Sequence, residues 1–262
     1  MTDQRRSGAG PRYTVLIPSY NAGRKAVETI RTIRLSGEPV CVVIDGSDDG
    51  SGEQLADLSR SDPGLTVLKL ARNSGKGSAI LHGLRDVIAR GYTHVLTMDS
   101  DGQHPAAMIP EFIAASKLRP DALILGKPVF DHTAPRERII GRRLCNWWVD
   151  FETLHAGIGD SLFGMRVYPA RPLLDVMQAH RSMRRFDFDA ESAVRLVWRG
   201  LRPVNIDAPV RYFTAAEGGV SHFRYLRDNV LLVSMHLRLL TGFILRLPLL
   251  VMRRIRFRAI EN

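Results

Sequence analysis

The sequence of 262 residues has little of three things that would place it in a specialised class. Its two cysteines, Cys41 and Cys145, are far apart and lack metal-ligand spacing, which argues against a disulfide framework or a zinc site and favours a reducing compartment. Aromatic residues make up 7% of the chain and no nucleic-acid-binding motif is present, so nucleic acid is not an expected partner. Internal repeats and low-complexity linkers are also missing, which favours one globular domain with an appendage.

Long apolar runs are missing as well. Residues 1–12 carry charge and small side chains but lack the apolar run of a secretory signal, so we expect a flexible N-terminal tail. The longest apolar stretch near the end, residues 241–252, is interrupted by Arg246 and Pro248 and is shorter than the roughly 18 to 20 residues that cross a bilayer. We therefore expect no membrane-spanning segment.

Positive charge, by contrast, is abundant and unevenly distributed. The formal net charge is +10, and residues 220–262 contain eight arginines against Asp228 and Glu261, a balance of +6. Apolar side chains recur there at spacings of three or four, which is typical of one helical face: Leu226, Val230, Val233, Leu237, Leu240 and Ile244. Residues 221–262 are thus predicted to form a basic amphipathic helical tail. Such a helix either lies on an anionic membrane surface or packs on the core with its arginines in solvent.

Short β-branched runs alternate with helical patterns through the first half of the chain. The predicted strands cover residues 13–17, 40–44, 65–70, 93–98 and 121–125, and the predicted helices lie near 22–35, 51–60, 76–90 and 105–118. This alternation predicts an α/β fold with a Rossmann-like, doubly wound, mainly parallel sheet. Residues 127–220 continue with helical patterns and one further strand, and we interpret them as an elaboration of the same domain.

Polar clusters follow the first four strands directly, at residues 18–21, 45–51, 71–77 and 99–104. In a doubly wound sheet the ligand binds beyond the carboxyl ends of the strands. We therefore expect the four clusters to meet at one edge of the sheet and to form a single binding site.

Asp99 and Asp101 stand two positions apart at the end of the fourth strand. Two such neighbouring carboxylates ionise together poorly unless a cation neutralises them. Mg²⁺ or Mn²⁺ would suit these ligands, because these ions bind one or two carboxylates together with phosphate oxygens. An ordinary Asp-rich turn is the alternative interpretation.

Two further turns could contact a nucleotide. The Gly75–Lys76–Gly77 turn opens a helix, where backbone N–H groups and one ammonium could face a phosphate; a simple glycine cap is the alternative. Asp45, with Gly46 and Ser47, could hydrogen-bond a base or a ribose, or could form an Asx turn.

The segments IPSYN, VVIDGSDDGS, RNSGKGSAILHGL and TMDSDGQHP, in this order, resemble the nucleotide-binding half of glycosyltransferase family 2, which has a GT-A fold. The chain is most similar to the branch of dolichyl-phosphate-mannose-synthase-like and polyprenyl-phosphate glycosyltransferases. The resemblance implies a GT-A domain over residues 13–220, with a nucleotide-sugar-binding half at 13–126 and an acceptor-side half at 127–220.

The resemblance also implies roles for individual residues. Asp99 and Asp101 would hold a metal ion that bridges the donor diphosphate, and Lys76 would lie near the donor. The residues expected to contact the nucleotide sugar are Pro18, Tyr20, Asn21, Asp45, Asn73, Lys76, Asp99, Ser100 and Asp101. Ile44 replaces the first of two acids that the family usually has before Gly-Ser, and the Gln-x-x-Arg-Trp motif of processive synthases is missing, which implies transfer of a single sugar.

Acidic residues in the second half supply candidates for catalysis and for acceptor binding. Asp189 or Glu191 could be the general base of an inverting transfer, with Asp189 preferred by the resemblance; both could instead simply favour the first turn of a helix. Asp160 and Arg166 resemble the family's D-x-x-x-G-x-R segment and would lie near the acceptor or the diphosphate, as would Gln103 and His104. A buried structural pair is the alternative for Asp160 and Arg166.

Together these features predict an inverting, metal-dependent glycosyltransferase that moves one sugar from a nucleotide-diphosphate sugar to a lipid-like acceptor. It would be cytoplasmic and peripherally bound to the inner face of the cell membrane, with a homo-oligomer as an open option. A catalytically silent nucleotide-sugar-binding recruitment protein and a sugar nucleotidyltransferase are the alternatives.

Overall fold

A computed structural model describes residues 10–130, 134, 136–213 and 225–261. The strands are β1 (Tyr13–Ser19), β2 (Val40–Asp45), β3 (Leu65–Leu70), β4 (His94–Thr97), β5 (Leu123–Phe130), β6 (Arg166–Pro169) and β7 (Pro203–Val210). The helices are α1 (Gly23–Arg34), α2 (Ser51–Ser61), α3 (Lys76–Ala89), α4 (Ile109–Leu118), α5 (Arg136–Glu152), α6 (Ala170–Ala179), α7 (Phe188–Trp198) and α8 (Tyr225–Glu261), and a 3₁₀ turn (Ala106–Met108) precedes α4. Most of the predicted N-terminal tail and the predicted boundary near residue 220 lie outside the described residues.

All seven strands form one sheet in the order β3-β2-β1-β4-β6-β5-β7. The pairs β1–β2, β2–β3, β1–β4 and β5–β7 are parallel, and β6 lies antiparallel between β4 and β5. The α/β, mainly parallel prediction is confirmed. Strand β6 was not predicted, because four residues without alternation give no periodic signal.

Both faces of the sheet are covered, which explains the continuous apolar character of the central strands. In β1, Leu16 belongs to the core on the side of α3 and α6, whereas Val15 and Ile17 belong to the core on the side of α1 and α4. Because β1 pairs in parallel with both β2 and β4, the carboxyl ends of these three strands lie at the same edge of the sheet. The polar clusters that follow them are held at one edge of the sheet.

The side of helix α8 that packs against the domain is not the apolar row predicted from the sequence. Its buried apolar positions are Met235, Leu239, Phe243 and Leu250, spaced by four, four and seven residues. Four of the six residues of the predicted apolar row are instead exposed: Val230, Val233, Leu237 and Ile244 are 60–63% accessible. Leu240 is half-buried and packs against the core. The predicted apolar face thus points away from the domain.

Several arginines of α8 contact the domain instead of solvent. Arg238 binds the Glu191 carboxylate at 3.1 Å, Arg246 lies over the Trp198 ring, and Arg254 donates to the carbonyl of Leu154 at 2.7 Å. The alternative of a core-packed helix with its arginines in solvent is therefore wrong for these side chains.

The length of α8 also differs from the sequence-based expectation. The helix continues through Pro248, and its segment Arg227–Arg254 is long and apolar enough, by length and composition alone, to cross a bilayer. Only 17% of the residues in the most apolar part of this segment are buried. Arg246 and Pro248 therefore do not exclude a membrane-spanning segment, contrary to the expectation from the sequence.

A buried polar contact joins α8 to α5. His236 Nδ1 lies 3.0 Å from Glu152 Oε1, and His236 Nε2 lies 3.4 Å from Cys145 Sγ. Burial alone would lower the pKa of His236, but hydrogen bonds to Cys145 and Glu152 outweigh it and raise the pKa to about 9. His236 is therefore an imidazolium at neutral pH.

We expect the contribution of His236 to stability to disappear at alkaline pH. A histidine whose pKa is raised on folding stabilises the fold fully below its ordinary pKa of about 6.5. That contribution is lost as the pH rises through about 9. Thermal unfolding of the wild type and of His236→Asn, measured between about pH 6 and about pH 10, should show the difference between the two shrinking. A difference that stays constant across this range would contradict the ion-pair assignment.

Candidate active site

A cavity of about 720 Å³ lies at the carboxyl edge of β1, β2 and β4. Its wall includes eight of the nine residues predicted to contact the nucleotide sugar: Pro18, Tyr20, Asp45, Asn73, Lys76, Asp99, Ser100 and Asp101. Asn21 is not part of this wall. Gln103 and Asp189 also line the cavity, so residues from both halves of the chain meet there.

The ammonium of Lys76 forms the centre of the polar wall. Its Nζ lies 2.7 Å from Asp99 Oδ1 and 2.7 Å from Asp189 Oδ2, and its side chain is 11% exposed. Burial would lower the pKa of Lys76, but the two carboxylates outweigh this effect and raise the pKa above its ordinary value. The lysine therefore stays charged and links β4 to α7.

The glycines beside Lys76 are required by a close backbone approach. Gly75 has φ +96°, and a Cβ on Gly77 would lie 2.2 Å from the carbonyl oxygen of Met183. The Ser78 N–H donates to the carbonyl of Arg184 at 3.0 Å. The turn thus brings residues 183–184 onto the start of α3, and one of the N–H groups at the start of this helix is already satisfied by backbone.

Asp99 and Asp101 differ in their protonation behaviour. Burial would raise the pKa of Asp99, but Lys76 and His104 outweigh it, so its pKa is below the ordinary value. Burial and the neighbouring Asp99 charge raise the pKa of Asp101 to about 6. The pair therefore contains one firmly ionised carboxylate and one that a further cation would help to ionise.

His104 supports Asp99 from outside the cavity. Its Nε2 lies 3.4 Å from Asp99 Oδ2, and its ring packs edge-on against Phe163. Burial lowers the pKa of His104 to about 4, so its ring is neutral. Gln103 does line the cavity, and its N–H donates to Asp101 Oδ1 at 3.0 Å.

Asp45 anchors the loop that follows β3. Its two carboxylate oxygens accept the N–H groups of Ser74 and Gly75 at 2.8 and 2.7 Å. A Cβ on Gly46, which has φ +68°, would lie 2.4 Å from the carbonyl carbon of Arg72, so only glycine lets the two loops meet. Asp45 therefore shapes the cavity wall as well as lining it.

Asn21 has a structural contact outside the cavity. Its side-chain amide donates to Asp48 Oδ1 at 2.8 Å and accepts the Asp48 N–H at 3.0 Å. These bonds tie the loop after β1 to the loop after β2. The structure thus does not bring Asn21 into the site predicted for it.

The structure separates the two candidates for the general base. Asp189 lines the cavity, and its Oδ1 is buried without a hydrogen-bond partner among the described residues. Glu191 is fully buried away from the cavity, where Arg195, Arg238 and Ser182 bind its carboxylate. Only Asp189 is in a position to act on a molecule in the cavity.

Asp160 and Arg166 organise the wall from behind. The Asp160 carboxylate binds Arg142 and accepts the N–H groups of Leu162 and Phe163 at 2.9 and 2.7 Å. The fully buried guanidinium of Arg166 donates to backbone carbonyls, including that of Asp189. Neither residue lines the cavity, and they contact each other only through the Asp160 carbonyl at 3.4 Å.

Three arginines that line the cavity were not predicted as site residues. Arg142 lies on α5, Arg185 precedes α7, and Arg227 lies in the first turn of α8. In the sequence they stand in helical or charged segments where arginine normally faces solvent, so no local pattern distinguishes them. Glu137 and Asp228 line the cavity from the same two helices as Arg142 and Arg227. We call the three arginines the cationic wall, and the carboxylates of Asp45, Asp99, Asp101 and Asp189 the acidic wall.

Comparison with known proteins identifies the family. The profile described as "Glycosyl transferase family 2" matches residues 14–173, more than half of the chain. The chain belongs to glycosyl transferase family 2. The predicted recognition is thereby confirmed, together with the GT-A fold class that it implied.

Two curated relatives have names that specify a reaction. An undecaprenyl-phosphate mannosyltransferase of Micrococcus luteus is 30% identical over 138 residues. These residues span 52% of the present chain and only 52% of that enzyme. A polyprenol monophosphomannose synthase of Mycolicibacterium smegmatis is 27% identical over 216 residues, 80% of each chain. Both are mannosyltransferases by name.

A solved structure supports the fold. Glucosyl-3-phosphoglycerate synthase from Mycobacterium tuberculosis, in complex with Mn²⁺, UDP-glucose and phosphoglyceric acid, superposes with a TM-score of 0.60 and 15% identity. The match covers 89% of the present chain and 80% of the synthase. At this identity the likeness concerns the fold alone.

We expect Glu191 to contribute to stability. Glu191→Gln would leave Arg195 and Arg238 without their buried anionic partner, which should cost on the order of 3 kcal/mol. Glu53→Gln is the matched control, because Glu53 pairs with Lys69 on the exposed surface and such solvent-exposed pairs contribute little to stability. Urea unfolding of both variants measures the costs. Equal small shifts of the two midpoints would contradict the structural role of Glu191.

Proposed function

We propose that this chain transfers a mannosyl residue, with inversion, from a nucleoside-diphosphate sugar to polyprenyl phosphate. The observation that carries the proposal is a single cavity in which Asp99 and Asp101, after β4, meet three arginines from α5, α8 and the segment before α7. The names of the two curated relatives support both the mannosyl donor and the polyprenyl-phosphate acceptor.

The acidic wall suits a divalent cation that takes its other ligands from a diphosphate. Among the described residues no set of three His, Cys, Asp or Glu side chains is arranged around a metal ion. Mg²⁺ and Mn²⁺ need only one or two carboxylates when phosphate oxygens complete their coordination. The buried, unpartnered Oδ1 of Asp189 marks a further position in this wall where a polar group is required.

Asp99 and Asp101 would hold Mg²⁺ or Mn²⁺ in the proposed function. A bound ion of this kind would neutralise negative charge that develops on the departing diphosphate. Lys76 would add a second positive charge next to it, held in place by Asp99 and Asp189. Asp45 would keep the loop of residues 73–75 closed against the nucleoside.

The cationic wall suits an anionic acceptor. Arg142, Arg185 and Arg227 would bind the phosphate of a polyprenyl phosphate, since arginine binds phosphate through two parallel hydrogen bonds. Asp160 orients Arg142 by its ion pair, which explains how a residue outside the cavity serves the acceptor side.

A phosphate acceptor changes the requirement for a general base. The second pKa of a phosphate monoester is about 6, so its oxygen is already ionised at neutral pH. That oxygen forms a bond to the anomeric carbon, the bond from this carbon to the diphosphate oxygen breaks, and the nucleoside diphosphate leaves with the electron pair. Asp189 would then act mainly by holding Lys76, and it would act as a base only if the acceptor were a hydroxyl group.

The location follows from the acceptor. A polyprenyl phosphate resides in a membrane, so the enzyme would work as a peripheral protein at a membrane surface. Cys41 and Cys145 are both free thiols, which supports the cytoplasmic face. Family membership argues against a nucleotidyltransferase, whereas a silent nucleotide-sugar-binding protein would show itself by binding donors without turnover.

The test is transfer from a panel of guanosine- and uridine-diphosphate sugars, including GDP-mannose, to a short-chain polyprenyl phosphate with Mg²⁺ or Mn²⁺. We expect activity with a mannose donor, and a loss on the order of 100-fold or more in Asp101→Asn or without a divalent ion. Asp57→Asn, on the exposed surface of α2, should retain full activity. Donor binding without turnover under any condition would contradict the proposal and favour the silent binder.

A further inference from the structure

Two helices of the described chain expose an unusual amount of apolar surface. Thirteen of its sixteen exposed large apolar side chains lie on α5 and α8. We call their solvent side the outer face, defined on α5 by Ile140, Leu144, Trp147 and Phe151 and on α8 by Val230, Val233, Leu237, Ile244 and Val251. Their spacings of three, four or seven residues put each set on one side of its helix.

Both helices differ from an ordinary surface helix, which has polar side chains on its solvent side. On α8 the side toward the domain carries Arg246, Arg253 and Arg254, which contact Trp198 or Leu154. On α5 the fully buried Glu152 points inward. Charged groups therefore reach the domain beside the buried apolar side chains, while large apolar groups remain exposed on the other side, an arrangement that water does not favour.

The two helices form one continuous surface. The rings of Phe151 and Phe243 are 5.2 Å apart, and Trp148 lies 6.0 Å from His236. Trp147 stacks on Phe151 with ring centroids 6.2 Å apart. Because rings and the buried His236 contact join α5 to α8, both parts of the outer face must meet the same environment.

The geometry of α8 decides between lying on a bilayer and crossing it. Contacts with the domain extend from the buried Asp228 to Arg254, close to the end of the helix. A helix held along its length against a charged domain cannot be surrounded by lipid, although its apolar segment would be long enough. It can lie in the membrane plane with only its outer face in the acyl region.

The outer face begins at the rim of the active-site cavity. Ile140 is followed by the cavity-lining Gly141, and Val230 is preceded by the cavity-lining Asn229. From Val230 to Met252 the apolar row extends for about 33 Å at 1.5 Å per residue. A second copy of the chain bound to this face would lie beside the cavity rim, whereas a bilayer there would bring a lipid phosphate to it.

We infer that α5 and α8 form a membrane-docking surface whose outer face enters one leaflet of a lipid bilayer, with the cavity rim at the level of the head groups. The choice of a bilayer rests on the proposed function, because the acceptor proposed there is a lipid. The docking surface includes α5 as an equal part, and it is held by burial of apolar side chains more than by the arginines of α8.

The full chain with phosphatidylcholine vesicles, with and without phosphatidylglycerol, tests the inference. We expect binding to both vesicle types, and at least tenfold weaker partitioning for Leu144→Glu on α5 and for Leu237→Glu on α8. Leu35→Glu and Leu118→Glu are matched controls, because these leucines are 86% and 84% exposed elsewhere on the domain. Both controls should bind vesicles as the wild type does.

Tryptophan fluorescence gives a second reading of the same surface. Vesicles should shift the emission of the wild type to shorter wavelength, brominated lipid should quench it, and Trp147→Phe should remove most of both effects. Wild-type binding that is unchanged in both Leu→Glu variants, or that needs phosphatidylglycerol and leaves Trp147 unquenched, would overturn the inference. So would a stable dimer in sedimentation equilibrium that both Leu→Glu variants dissociate.

Activity on a short-chain, detergent-soluble polyprenyl phosphate separates the two proposals. If docking is correct, Leu144→Glu and Leu237→Glu should retain this soluble activity within about twofold and lose activity on long-chain acceptor in vesicles. Vesicle binding by the wild type without any sugar transfer would leave docking intact and contradict the proposed function. Sugar transfer to the soluble acceptor by a wild type that does not bind vesicles would support the proposed function and contradict docking.

Discussion

The ammonium of Lys76, buried between the carboxylates of Asp99 and Asp189, is the interaction on which the candidate site depends. A buried cation costs several kcal/mol in lost solvation unless anionic partners compensate for it. Lys76 has two such partners at 2.7 Å. Asp99 follows β4, and Asp189 lies on α7, 113 residues after Lys76. The acidic wall therefore exists only when both halves of the domain are packed together.

The same rule, that a buried charge needs a partner, governs the attachment of α8. Glu191 and Asp187 are buried acids near the start of α7, and Arg238 of α8 supplies a cation to both. If α8 moved away, these acids would lose part of their compensation and the inward arginines would lose their contacts. These ionic contacts, together with the burial of Met235, Leu239 and Phe243, fix which side of α8 faces the domain. This explains how an apolar face is left outside.

The sequence predicted those features that depend on local pattern. Strands β1 to β4 and the meeting of four polar clusters follow from β-branched runs and from parallel topology, and eight of nine nucleotide-sugar candidates line the cavity. Periodicity identified the apolar row of α8 but not the side on which the domain lies, because spacing alone does not reveal a partner. Asn21 and Glu191 were misplaced for a similar reason: their partners, Asp48 and Arg238, are distant in sequence. The cationic wall required the tertiary fold.

The position of α8 and the shape of the cavity are not independent. The segment that Arg238 fixes at Asp187 and Glu191 also carries the cavity-lining Arg185 and Asp189, and its residues 183–184 press on the start of α3 beside Lys76. The N-terminal part of α8 also lines the cavity, with Arg227 and Leu232. Helix α8 therefore contacts the segment that carries Asp189 and itself contributes Arg227 to the cavity. The surface that would meet a lipid and the cavity that would use it are therefore built from the same helix and held by the same contacts.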